Sequence, residues 1–173
     1  MLPSVWVPPV EVRELRALGG HRRRLIKQRT QTRNRLRAVL FAHNLFPPPG
    51  EAFGSANRSW WEGLDLPASE KLRVRHDLSI LDGLEPLINQ VEAELVRQSS
   101  LAPWADQAAF LVQLPGVGVH NAMLLLAAIG DVERFDAPHK LVGCAGLGAR
   151  VHSSGHEHYG GRIPSRDGAT SAR

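Results

Sequence analysis

The sequence predicts a mainly α-helical protein: a long antiparallel helical hairpin, then a small helical domain and a loop-rich C-terminal tail. Three observations support this prediction. Apolar residues recur every three or four positions over 10–44 and again over 68–98, which is helical spacing. A connector rich in proline and glycine separates these stretches, which favours an antiparallel pair. A glycine-rich turn at 114–118 then divides a third apolar stretch.

Residues 10–100 form the predicted coiled-coil-like hairpin, preceded by a proline-containing linker over 1–9. The heptad pattern of the first helix includes two polar residues, Arg22 and Arg29. Gly19 and Gly20 predict a kink or break in that helix, and Pro86 predicts a kink in the second. Trp60 and Trp61 of the connector are expected to cap the helical pair rather than to stack on bases.

Residues 104–130 are similar to a helix-hairpin-helix unit whose hairpin is Leu114-Pro115-Gly116-Val117-Gly118. Pro115 ends the first helix, and the glycines allow the chain to reverse in a few residues. A second helix begins near Val119 and ends at Gly130. Its free N–H groups, beside the bare backbone of Gly116 and Gly118, suit a phosphate oxygen. The alternative is an ordinary helical hairpin with no ligand.

Charge is unevenly distributed along the chain. Residues 11–45 hold ten Lys or Arg against two acids, whereas residues 51–110 hold five against ten. Such a basic block favours a polyanionic partner, and its salt-sensitive affinity would come from phosphate contacts. The alternative is a solvated face, or arginine stems that cover a coiled-coil seam. The candidate nucleic-acid-binding residues are Arg22, Arg23, Arg24, Lys27, Arg29, Arg33, Arg35 and Arg37.

The tail, residues 146–173, holds few apolar residues and is predicted to be loop. Ser153 and Ser154 precede Gly155 there, which is usually a turn. As a nucleophile, either serine would need a base and nearby cations. The tail supplies histidines and the candidate phosphate-binding residues Arg150, Arg162 and Arg166. The histidine spacing matches no zinc motif, so no metal site is predicted in this chain.

Membrane and extracellular classes are disfavoured. No apolar run approaches the ~20 residues that span a bilayer. The single cysteine excludes an internal disulfide and fits a reducing cytoplasm.

Several motifs together resemble one protein family. They are Val5-Trp6-Val7-Pro8-Pro9, Glu11-Val12-Arg13-Glu14-Leu15-Arg16, His21-Arg22-Arg23-Arg24, Leu114-Pro115-Gly116-Val117-Gly118, Ile129-Gly130-Asp131-Val132, Arg134-Phe135, Leu141-Val142-Gly143-Cys144-Ala145-Gly146-Leu147, Ser153-Ser154-Gly155 and Gly161-Arg162-Ile163. In this order they are similar to the DEDD-type insertion-sequence transposases of the IS110 family. That family has a RuvC-like domain, a coiled-coil segment and a C-terminal transposase domain.

The resemblance implies DNA cleavage and rejoining during transposition, guided in some members by an RNA that the element encodes. It implies Ser154 as the nucleophile that becomes joined to DNA, with Ser153 as the alternative. It implies Mg²⁺ bound by four acidic residues of the RuvC-like domain, and no cofactor in this chain. The same resemblance implies that DNA is a binding partner and that the protein assembles as a homo-oligomer through the hairpin. It also implies a bacterial cytoplasmic, nucleoid-associated location.

The chain departs from the family at both ends, and none of its acids matches the four metal ligands. We therefore expect a fragment, with 1–9 a linker from a missing N-terminal domain and 104–173 a truncated C-terminal domain. Such a fragment would bind DNA and be inactive alone. The alternative function is a non-catalytic nucleic-acid-binding or oligomerisation module.

Overall fold

A computed structural model describes residues 6–144, 151–154 and 157–160, with side chains over 6–143. The described part is mainly α-helical, as predicted. Its elements are α1 (Val10–Ala42), a 3₁₀ turn (Ser55–Asn57), α2 (Arg58–Glu62), α3 (Ala68–Ser99), α4 (Ala105–Leu111), α5 (Val119–Ile129), α6 (Pro138–Cys144), β1 (Val151–Ser154) and β2 (Glu157–Gly160). The two strands form an antiparallel hairpin within the tail that was expected to be loop.

Helices α1 and α3 form the predicted antiparallel hairpin. At 33 and 32 residues, each is about 50 Å long. Both helices are continuous, so no break occurs at Gly19-Gly20, and Pro86 lies inside α3; the predicted kinks stay predictions. Packing explains the glycine at position 19 instead, because a Cβ there would lie 2.5 Å from Leu124 Cδ2 of α5. The glycine therefore allows α5 to approach α1 closely.

The apolar core lies in three layers along the hairpin. At the hairpin tip, where the connector joins the helices, Leu36 and Leu78 pack with Trp61. Trp61 donates its indole N–H to Ala52 O at 2.8 Å, so it caps the helical pair as predicted. The middle layer is small and consists of Leu25, Leu84, Ile88 and Val91. The layer at the hairpin base joins α1 and α3 to α4 and α5 through Val12, Leu15, Leu95, Trp104, Ala108, Met123, Leu126 and Ala127.

Ion pairs cross the seam on either side of the middle layer. Arg22 donates from Nε and Nη2 to Glu92 Oε1 at 2.9 and 2.5 Å. Arg29 Nη1 lies 3.3 Å from Glu85 Oε2, one heptad further along each helix. The two polar residues in the heptad pattern of α1 are thus matched by carboxylates of α3.

The predicted turn at 114–118 joins α4 to α5, and Gly116 has φ of +83°. Helix α5 ends where predicted, at Gly130, which has φ of +68°. A turn between two short helices is therefore present, whereas the identification of this unit as a DNA-binding helix-hairpin-helix stays a prediction.

We predict that the fold tolerates an exchange of the two charges of the Arg22–Glu92 pair but not the loss of one of them. Arg22→Glu should lower the free energy of unfolding by about 2 kcal/mol, because it leaves a half-buried carboxylate facing a like charge. The double variant Arg22→Glu/Glu92→Arg should recover most of this loss. Chemical denaturation followed by circular dichroism measures both.

The matched control is the same exchange at Glu94 and Arg97, an exposed pair within one helix, which should change stability little. A double variant no more stable than Arg22→Glu would contradict a role for this pair in helix pairing.

Candidate nucleic-acid interface

Five of the eight predicted cations of α1 are engaged within the fold. Besides Arg22 and Arg29, Arg33 Nη2 lies 3.3 Å from Glu85 Oε1, and Arg35 Nη2 lies 2.6 Å from Asp77 Oδ1. The bond to Asp77 raises the pKa of Arg35 above its ordinary value. Arg37 donates to Asn34 at 3.1 Å and lies over the ring of Phe53. These contacts match the alternative interpretation, in which arginines cover the seam.

The remaining cations lie on the outside of α1. Arg23, Arg24 and Lys27 are exposed, and their side chains bond to no residue in the described ranges. Arg13 behaves in the same way and was not among the predicted residues. Helical geometry could have identified it. Arg24 and Lys27 follow Arg13 by 11 and 14 positions, which is close to three and four full helical turns, so the three side chains share one face.

We name Arg13, Arg23, Arg24 and Lys27 the outer basic face. It extends for about 21 Å along α1 at 1.5 Å per residue. The two acids of α1, Glu11 and Glu14, lie in its first two turns, so the stretch from Arg23 to Lys27 has no acidic neighbour along the helix. A row of unpaired cations on a rigid helix suits the phosphates of a nucleic-acid strand.

The predicted phosphate-binding turn is open to solvent. Gly116 and Gly118 are exposed, and a Cβ at either position would meet nothing within 4 Å. Gly118 is the N-cap of α5, whose first N–H groups have no partner within the helix. His120 Nε2, in the first turn of α5, is buried with no partner among the described residues. The turn thus gives access to the N-terminus of α5, while phosphate contact stays a prediction.

The candidate nucleophiles lie on the β-hairpin. In its ladder, Ser154 is paired with Glu157 and Ser153 with His158. The backbone therefore brings each serine beside a residue that could accept a proton. Arg150, Arg162 and Arg166 fall outside the described residues. Within the described part, no group of three metal-ligating side chains lies close enough to hold an ion.

Two motifs that are far apart in the sequence meet at the end of α5. The ring of Trp6 lies against Gly130, where a Cβ would be 2.5 Å from Trp6 Cη2. Arg134 lies 4.4 Å from the centroid of the same ring and donates to Ile129 O at 3.2 Å. Arg16 donates to Ala127 O at 2.6 Å. We call this contact the Trp6 clasp; cations at a helix C-terminus also favour its dipole.

Comparison with known proteins was consistent with the sequence interpretation. Residues 108–173 match the Transposase IS116/IS110/IS902 family, a match that begins in α4 and includes the turn, α5, α6 and the β-hairpin. The chain is 31% identical over 155 residues to the transposase for insertion sequence element IS1111A of Coxiella burnetii (strain RSA 493 / Nine Mile phase I). The alignment covers 86% of this chain and 41% of that transposase, so the chain spans less than half of its relative's length.

No solved structure matches this chain. A search of the described helices found none with the length and apolar character needed to cross a membrane.

We predict that Gly130→Ala opens the Trp6 clasp. It should lower the free energy of unfolding by about 1–3 kcal/mol for the positive φ alone, and by more if the ring of Trp6 cannot move away. Gly83→Ala, in α3 with open space around it, is the control and should instead stabilise by about 0.5–1 kcal/mol. In a Trp6→Ala background the cost of Gly130→Ala should shrink; an unchanged cost would show that the ring does not constrain Gly130.

Proposed function

We propose that this chain is part of a transposase of the IS116/IS110/IS902 family and takes part in the transposition of an insertion element. The matched segment and the similarity to the IS1111A transposase support this. It would work on DNA in the bacterial cytoplasm, at the nucleoid. Some proteins of the family that the sequence resembles use a guide RNA, so an RNA encoded by the element is a second proposed partner.

The chain binds nucleic acid through the outer basic face. The observation that carries this proposal is that most of the arginines of α1 have contacts within the fold, whereas Arg23, Arg24 and Lys27 are exposed on one helix and have no partner among the described residues. Such contacts neutralise phosphates without reading sequence, so the affinity falls steeply with salt. The open turn at Gly116 and Gly118 is a further proposed phosphate contact.

Ser154 is the proposed nucleophile, and Ser153 is the competitor. In the reaction the serine Oγ would attack a DNA phosphorus: an O–P bond forms and one P–O ester bond of the strand breaks. The serine gives up its proton and the leaving deoxyribose oxygen gains one. The ladder partners Glu157 and His158 are candidate proton acceptors. Mg²⁺ would be held by a RuvC-like domain, since no acid of this chain matches its four ligands.

A non-catalytic oligomerisation module is the second candidate. It is favoured by Ile80 and Leu87, which lie one heptad apart on α3 and are both exposed. A second copy that covered this stripe would make the chain a homo-oligomer through its hairpin. Sedimentation velocity on the parent and on Ile80→Gln/Leu87→Gln tests this candidate. An oligomer that assembles through this stripe should dissociate in the variant.

We predict that Arg23→Gln/Lys27→Gln weakens binding to duplex DNA and lowers the slope of log affinity against log salt by about 2, or about 1 per lost phosphate contact. Fluorescence anisotropy over a salt series measures this slope. Arg73→Gln/Arg97→Gln removes the same charge from α3 and should leave the slope unchanged. Equal losses in the two variants would mean that net charge, not the outer basic face, sets the affinity.

We predict that Ser154→Ala abolishes the covalent protein–DNA adduct formed when a RuvC-like domain and Mg²⁺ are supplied, because only an Oγ at this position can form the ester. Denaturing gel electrophoresis with end-labelled DNA detects the adduct. Ser153→Ala, one residue earlier on the same strand, should retain it. The reverse pattern would assign the reaction to Ser153, and retention in both variants would exclude the proposed nucleophile.

A further inference from the structure

A narrow cleft lies at the hairpin tip, between α2 and the first turns of α3. It is at the opposite end of the hairpin from α4 and α5 and has a volume of about 160 Å³. We call it the tip cleft. Trp61, buried in the tip core, forms part of its wall, so the cleft has a firmly packed apolar side.

The cations of the tip cleft outnumber its available carboxylates. Lys71 and Arg75 lie one helical turn apart on α3 and line the cleft together. Both are exposed, and over the described ranges neither side chain has a hydrogen bond or an ion pair. The third cation, Arg58 of α2, is hydrogen-bonded to Asp82, so the charge of that acid is already matched. Glu62 is the other carboxylate of the lining, and it is exposed.

One hydrogen-bond donor of Arg58 is also unused within the described fold. Its Nη1 is buried and has no partner among the described residues, although a guanidinium nitrogen out of contact with water is normally hydrogen-bonded. An anion drawn in by Lys71 and Arg75 would sit beside this third guanidinium. Two cations with no ion pair in the described fold, and a guanidinium donor without a partner there, line a small cleft with an apolar wall; this set matches a phosphate group, which presents several strong acceptor oxygens.

The charge pattern of the sequence did not predict the cations of the tip cleft. Lys71, Arg73 and Arg75 fall within the block over 51–110, where acids outnumber bases two to one. Four of those ten acids pair with arginines of α1: Glu51, Asp77, Glu85 and Glu92. Folding therefore directs part of the acidic charge towards α1 and leaves three cations against two acids at the tip cleft.

We propose that the tip cleft binds a phosphate of the nucleic-acid backbone, as a contact additional to the outer basic face. This inference rests on the proposed function. Because Arg35 pairs with Asp77, Arg75 lies about two residues closer to the tip than Arg35. The distance along the hairpin from Lys27 to the cleft is therefore about 15 Å. A strand with one phosphate per ~3.4 Å needs at least about four or five nucleotides to cover this axial offset, and more to pass from α1 to α3.

The test compares two arginines of the same charge on the same helix. Arg75→Gln removes a lining cation, whereas Arg73→Gln removes an exposed cation that does not line the cleft. With the full chain and a duplex longer than the hairpin, anisotropy should show that Arg75→Gln weakens binding roughly three- to tenfold and lowers the salt slope by about 1. Arg73→Gln should behave as the parent. Equal behaviour of the two variants would overturn the proposal.

A second measurement separates a backbone phosphate from free phosphate. Inorganic phosphate is titrated into the chain while the indole N–H signal of Trp61 is followed by NMR. A shift that Arg75→Gln removes, with DNA affinity also reduced, supports a cleft that takes the backbone phosphate. A shift with DNA affinity unaffected would show a free-anion site and overturn the proposal.

The two proposals fail in different ways. If Arg23→Gln/Lys27→Gln reduces DNA binding and Arg75→Gln does not, the outer basic face is supported and the tip cleft is rejected. If Arg75→Gln alone reduces it, the cleft is supported and the outer basic face is rejected. Both variants should keep the parent's thermal midpoint, because each removes a side chain that makes no bond in the described fold.

Discussion

The pairing of charge across the α1–α3 seam is the constraint on which the rest of the structure depends. The middle layer of the hairpin has only four buried apolar residues, too few to specify alone how two fifty-ångström helices align. Arg22 with Glu92 and Arg29 with Glu85 fix both the antiparallel direction and the register, because a shift of either helix would leave half-buried charges unmatched. A seam of this kind gives up some hydrophobic stabilisation in exchange for a unique alignment.

The same pairing sorts the cations into two groups. Those facing α3 are neutralised, and their stems cover the seam. Those facing outward, from Arg13 to Lys27, have no acidic partner in the described structure, and neither do Lys71 and Arg75 at the tip. A net charge of +4 therefore understates the positive field at these two surfaces.

Periodicity and glycine placement predicted much of the fold. The spacing of leucines predicted α1 and α3, and Gly130 correctly marked the end of α5. The sequence pattern could not predict which residues contact each other between helices. Nothing local distinguishes Arg22, which meets Glu92, from Arg23, which faces outward, and Gly19 seemed a helix breaker because the approach of Leu124 comes from a distant helix. The β-hairpin at 151–160 was overlooked because its serines, histidines and glycine lack an alternating apolar face.

The hairpin also has a mechanical consequence. A continuous pair of helices about 50 Å long, packed at its base against α4 and α5, is a stiff lever. A rotation of about 5° at the base would carry the tip through about 4 Å, close to the ~3.4 Å step between neighbouring phosphates of one strand. Small rearrangements where Gly19 receives Leu124 would therefore be amplified at the far end into displacements of several ångströms.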